Sequence, residues 1–75
     1  MTSAAETAIY INADDVRQNH PAEWFPLVML CADPTFNTIS AEARDYLAGR
    51  DLIQLTADGG YTVHDMIRDV VLRMG

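Results

Sequence analysis

The chain has no lysine: its five cations are all arginine, set against eleven Asp and Glu, for a net charge of −6. A phosphate backbone is held by clustered cations that displace its counterions. Arg17, Arg44, Arg50, Arg68 and Arg73 are instead scattered, each close in sequence to an acid, which is a poor electrostatic footprint for nucleic acid. The single cysteine, Cys31, excludes an internal disulfide and any multi-cysteine zinc site. No apolar run approaches the roughly 18 residues of a membrane span. The start, "MTSAAETA", has neither a basic nor an apolar targeting segment. These absences lead us to expect a cytoplasmic chain without a membrane partner.

Chemistry-bearing patterns are equally sparse. His20 and His64 fall in no H-x-x-x-H or H-x-x-E-H spacing, so no metal site is expected. Gly59-Gly60 follows a β-prone stretch but opens a turn rather than a helix, so it is no phosphate loop. Asp14-Asp15 reads as helix capping rather than a pair of working carboxylates. Cys31 lies in the most apolar segment and reads as a small buried hydrophobe. With no base–nucleophile pair in view, we expect no enzyme and no cofactor.

What is present is a core. Apolar residues make up 49% of the 75 positions, enough for one small domain, near the lower size limit for folding without staples. Residues 1–7 read as a flexible N-terminus and 8–75 as the domain. Ala8–Asn12, "AIYIN", alternates and reads as a strand, with Ile9 and Ile11 on one face. "ADDVRQNH" reads as a single helical turn capped by Asp14, stopped by Pro21. "PAEWFPLVMLCA" reads as the central core helix, kinked at Pro26 or beginning near Phe25. Within it Trp24 and Phe25 read as core, with Trp24 as a partly exposed partner anchor the alternative.

"TISAEARDYLAG" has a helix start at Ser40 or Thr38 and a left-handed stop at Gly49, with Ile39, Ala43, Tyr46 and Leu47 on one stripe. "DLIQLT" and "YTV" flank Ala57-Asp58-Gly59-Gly60, a hairpin with glycine for the positive φ of its turn. The last helix has a capping box of Thr62 and Asp65 and an apolar stripe of Val63, Met66, Ile67, Val70, Val71 and Met74. The order is β-α-α-β-β-α, an α+β fold with a two- or three-stranded antiparallel sheet.

Two helices joined by a short turn and followed by a hairpin, with the phrase "ARDYLAGRDLIQLTADGGYTV", resemble a winged helix-turn-helix from Pro21 to Val63. The resemblance implies a small winged-helix-like domain, with Ala8–Asn12 as the third strand. It would make the helix at 40–48 the DNA-reading element. There Arg44 and Arg50 stand beside Glu42 and Asp45, and the wing tip at Asp58 carries no cation. The expected partner is therefore another protein with a basic surface, met by Glu42, Arg44, Asp45, Tyr46, Arg50, Asp58 and Tyr61. A sharper form is an inhibitor of a nucleic-acid enzyme, as small phage-encoded proteins including anti-CRISPRs are, its carboxylates standing in for phosphates. The alternative is a DNA-binding transcriptional regulator, a homodimer through exposed Val and Met of the C-terminal helix.

Overall fold

The computed structural model describes residues 3–33, 35–36 and 38–74. They form four helices and one short hairpin: α1 (Ala4–Asn19), α2 (Pro21–Ala32), α3 (Ala41–Gly49), β1 (Gln54–Leu55), β2 (Tyr61–Thr62) and α4 (Asp65–Met74). The α+β class holds, while the order is α-α-α-β-β-α.

The expected first strand is a helix. Ser3 caps α1, its Oγ accepting from the Glu6 amide at 3.1 Å, and sixteen residues follow in one run. A strand would place Ile9 and Ile11 on the same face. In the helix they part: Ile9 packs on the core and Ile11 stands 64% exposed. Ala13 and Val16 lie four and seven residues after Ile9 and are fully buried. Asp14 caps nothing; it sits inside α1 and pairs with Arg17. Residues 3–7, expected to be flexible, are the cap and first turn of this helix, and residues 1–2 lie outside the described ones.

α1 ends where Pro21 requires. His20 takes an extended φ of −137°, closes α1 through its amide to Val16 O, and opens α2 with Pro21 as its first residue. Glu23 and Trp24 both donate to His20 O at 3.0 Å, so α2 begins at Pro21 and not near Phe25. Pro26 removes one amide from the ladder, yet the helix continues as one element to Ala32.

α3 starts at Ser40, whose Oγ accepts from the Ala43 amide at 3.1 Å. Its left-handed stop is not Gly49. Gly49 is the last helical residue, Arg50 is the cap, and Asp51 takes the left-handed conformation at φ 61°. Asp51 N donates to Ala48 O and Leu52 N to Leu47 O, the double bond pattern of a Schellman stop. Its apolar contact is Leu47 with Leu52, both essentially buried. Pinning Leu52 and Ile53 into the core this way leaves only Gln54–Leu55 to pair with Tyr61–Thr62, in the register Gln54↔Thr62 and Leu55↔Tyr61. The turn closes with Gly59 at φ 87° and with Thr56 N donating to Gly60 O at 2.9 Å.

The expected capping box of α4 is replaced. Thr62 is in β2, and His64 caps instead, its Nδ1 accepting from the Met66 amide at 3.1 Å. Ile67, Val70 and Val71 are buried, with Met74 packed against the core. The valines of the last helix therefore close the core, and they are not an exposed dimer seam. α2 touches α1, α3 and α4 and forms the middle of the bundle.

The left-handed residue at 51 gives a stability test. A side chain with Cβ in this region is strained by about 1–2 kcal/mol, less for Asp, and glycine escapes the strain. Asp51→Gly should therefore raise unfolding free energy by up to about 1 kcal/mol in urea titration, whereas Asp51→Val should lower it by at least as much. Equal stability for the two variants would contradict this backbone.

Candidate functional site

The seven residues expected to meet a partner do not all face outward. Arg50 and Tyr46 turn toward α1 and tie it to the end of α3. Arg50 Nη2 donates to Asp15 Oδ2 at 2.5 Å, Nε to Asn12 Oδ1 at 2.9 Å and Nη1 to Tyr46 Oη at 3.0 Å. Asn12 returns the contact, its Nδ2 donating to Arg50 O at 2.8 Å. That last bond satisfies a carbonyl left over at the helix end. The guanidinium carbon lies 5.6 Å from the Tyr46 ring centroid, and the His20 ring packs on the same tyrosine at 4.6 Å. Three of the guanidinium's donor nitrogens are thus committed within the chain. A lysine would offer only a point charge in place of this fork.

Tyr61 is half-buried against the core, with its hydroxyl inside and without a hydrogen-bond partner among the described residues. Glu42, Asp45 and Asp58 are exposed; Arg44 is half-buried and lies 3.3 Å from Asp45. Glu42 sits in the first turn of α3, where the positive end of the helix favours it.

Every arginine is ion-paired: Arg17 with Asp14, Arg44 with Asp45, Arg50 with Asp15, Arg68 with Asp65, and Arg73 with both Glu6 and Asp69. Apart from Arg50–Asp15 and Arg73–Glu6, these are local contacts on one helix, worth little individually in water. Their consequence is for the field. Six of the eleven acids are matched, and Glu23, Asp33, Glu42, Asp51 and Asp58 have no ion-pair partner among the described residues. All of these except Glu23 are exposed.

Two of them are held as anions by hydrogen bonds. At the hairpin tip the Thr56 hydroxyl donates to Asp58 Oδ1, and the Gly60 amide joins it at 3.1 Å. These bonds, the hydroxyl first, lower the Asp58 pKa below the usual 3.8. At the end of α2 the Thr35 hydroxyl and amide do the same for Asp33, at 2.7 and 2.9 Å.

Other groups offer less. Cys31 is buried, and burial pushes its thiol up to about 11 against the opposing pull of Arg68, so it is a neutral thiol at pH 7. Among the described residues, no three His, Cys, Asp or Glu side chains converge as metal ligands. A shallow groove of about 530 Å³ runs between α1 and α4, walled by Tyr10, Arg17, Val70, Arg73 and Met74. The carboxylate on its wall, Glu6, is bound to Arg73 at 3.0 Å. No helix among the described residues is long and apolar enough to cross a membrane. No protein family matches the chain, and no curated protein or solved structure is significantly similar to it.

Sequence reasoning missed Asn12, Asp15 and His20 as partners of Arg50 and Tyr46. The gaps of 38 and 35 residues from Arg50 to Asn12 and Asp15 leave no local signal. One signal was readable: Ser3-Ala4-Ala5-Glu6 spells a capping box, and it marks the true start of α1.

Two measurements check these contacts. Arg50→Lys should cost about 1–2 kcal/mol in chemical denaturation, because the forked, charge-assisted bonds are lost. Combined with Asn12→Ala it should cost less than the sum of the single changes. Carboxyl-carbon NMR titration should place Asp58 below 3.8 and return it toward that value in Thr56→Val. Because a lowered carboxyl pKa stabilises the fold above the ordinary value, this contribution is fully present at neutral pH and is lost as pH falls through the folded-state value.

Proposed function

We propose that this chain is a small, non-enzymatic protein-interaction module whose acidic surface docks on the basic surface of another protein. One observation carries the reading: each of the five arginines is neutralised by an acid of the same chain, while five carboxylates keep their charge unmatched among the described residues. Glu42 at the start of α3, Asp51 at its end and Asp58 at the hairpin tip belong to the segment where a winged helix would meet a duplex. Coulomb repulsion there disfavours phosphate and favours guanidinium and ammonium groups. The winged-helix resemblance supports the choice of α3 and the hairpin through their order, α2–α3–β1–β2.

The contact surface in this reading is Glu42, Arg44, Asp45, Asp51 and Asp58. Tyr46 and Arg50 serve it from behind, since they hold α3 against α1. Tyr61 anchors the hairpin to the core. The sharper form of the proposal is an inhibitor that lies in the nucleic-acid channel of an enzyme, where carboxylates take the places of phosphates.

Titration against a short DNA duplex and against an oligo-arginine peptide, each at low and moderate salt, tests the reading. The peptide should bind and weaken with salt, and the duplex should not bind. Neutralising Glu42, Asp51 and Asp58 together, as Gln, Asn and Asn, should slow peptide association on the order of tenfold through lost steering. Tight duplex binding at moderate salt, with no response to the peptide, would overturn the proposal in favour of a DNA-binding regulator.

A further inference from the structure

Phe25, expected in the core, stands 68% exposed, while its neighbour Trp24 packs against the core. Phe25 lies on a helix, as do the exposed Tyr10, Ile11 and Leu72, and a helix spends its backbone hydrogen bonds on itself. Leu55 differs. At 54% exposure it stands in a strand, and it offers backbone groups as well as a side chain.

The hairpin is a two-stranded sheet, so β1 is paired on one side only. Thr56 N donates to Gly60 O, which makes these two residues a hydrogen-bonded pair. Such pairs alternate along an antiparallel ladder, so Leu55 and Tyr61 are a non-hydrogen-bonded pair. The N–H and C=O of Leu55 therefore point away from β2. No backbone group outside the hairpin meets them among the described residues. The two faces of this edge have different chemistry. Leu55 and Tyr61 share the apolar one. Thr56 points to the other, and its hydroxyl donates to Asp58, so the carboxylate lies on that side. A Cβ added at Gly60, opposite Thr56, would stand 3.3 Å from Asp58 Oδ1, in agreement with that placement.

We propose that the outer edge of β1 receives an extended segment of the partner in which apolar and cationic residues alternate. The inference rests on the acidic-surface reading above and gives that surface a mode of contact. The segment residue opposite Leu55 donates its N–H to Leu55 O and accepts from Leu55 N, as in strand addition. Its side chain falls on the apolar face, beside Leu55. The neighbouring side chain falls on the other face, beside Thr56, where Arg or Lys meets Asp58. Asp58 has no ion-pair partner of its own among the described residues, so this charge is there to be matched. A second copy of the chain does not fit the edge as well, because two chains of net charge −6 repel. The strand is short and its backbone bonds are few, so charge supplies much of the affinity and salt weakens it.

NMR titration of the full chain tests this with three short capped peptides. One alternates arginine and leucine, one has the same composition in separate blocks, and one is the alternating peptide N-methylated at its leucines. The alternating peptide should bind, shift the Leu55 and Thr56 amides, and slow hydrogen exchange at Leu55 N–H. N-methylation should weaken binding on the order of tenfold, since it removes a donor to the edge. The blockwise peptide should also bind more weakly, because it cannot serve both faces. Leu55→Ala, at an exposed position, should keep the rest of the spectrum and lose affinity for the alternating peptide. If that peptide binds while Leu55 N–H exchanges as before, or if its N-methylated form binds equally well, strand addition is wrong and the acidic surface stands. If neither it nor oligo-arginine binds, the acidic-surface reading falls and takes this inference with it.

Discussion

The fold depends on burying one helix. α2 has a single charged residue among twelve, and left in water it would be the least soluble part of the chain. Leu27 at its centre is fully buried, and α1, α3 and α4 each pack against it. The other elements are placed by that demand. α1 contributes Ala13 and Val16, α3 Leu47, and α4 Ile67 and Val71, all to the one cluster. The hairpin contributes mainly through its flanks, Leu52, Ile53 and Val63, and through half-buried Tyr61 of β2, while Gln54, Leu55 and Thr62 stay exposed. A two-stranded sheet of this size has little stability of its own. It persists because the Schellman stop delivers Leu52 and Ile53 to the core on one side and Val63 enters it on the other.

This explains which elements could be read from the chain. α2, α3, the hairpin and α4 have local signatures: Pro21 at a first turn, Ser40 as a cap, glycine in the turn, and a strong apolar stripe at the end. α1 has a weak one. Its buried face consists of Ile9, Ala13 and Val16 with Asn12 beside them, and alanine contributes little to a hydropathy pattern. Over five residues "AIYIN" satisfies the strand period as well as the helical one, and the length of the run decides such cases. Two local signals also yielded to tertiary demands. Gly49 was the natural left-handed stop, yet the left-handed residue of the Schellman motif falls two residues later, on Asp51, which brings Leu52 onto Leu47. Thr62 was a natural cap, yet strand pairing with Gln54 claims it and passes the capping to His64.

The candidate surface was legible in composition and illegible in detail. That acids outnumber guanidiniums near the hairpin is evident from the sequence. That Arg50 belongs to the junction of α1 and α3 is not, because its partners Asn12 and Asp15 lie on a helix whose first half also fits the period of a strand. Removing Arg50 from the outward set makes the α3–hairpin segment more negative than a count of charges implies. The local pairing of arginine with acid acts in the same direction, since a paired cation contributes little beyond a Debye length of about 8 Å at physiological salt.

Two surface regions of opposite physical character remain once the interior is accounted for. Around α3 and the hairpin, unmatched carboxylates stand beside exposed Leu55, so a charged contact there gains from long-range attraction and weakens with salt. Along α2 the outer face is largely apolar, with Phe25 at 68% exposure, so a contact there gains from removing apolar surface from water. Neither region needs the other. Their separation follows from the central role of α2, because a helix hydrophobic enough to be enclosed by three others has no polar side left to turn outward. Where three neighbours of a 75-residue chain cannot complete the enclosure, the uncovered part is apolar of necessity, and Phe25 marks it.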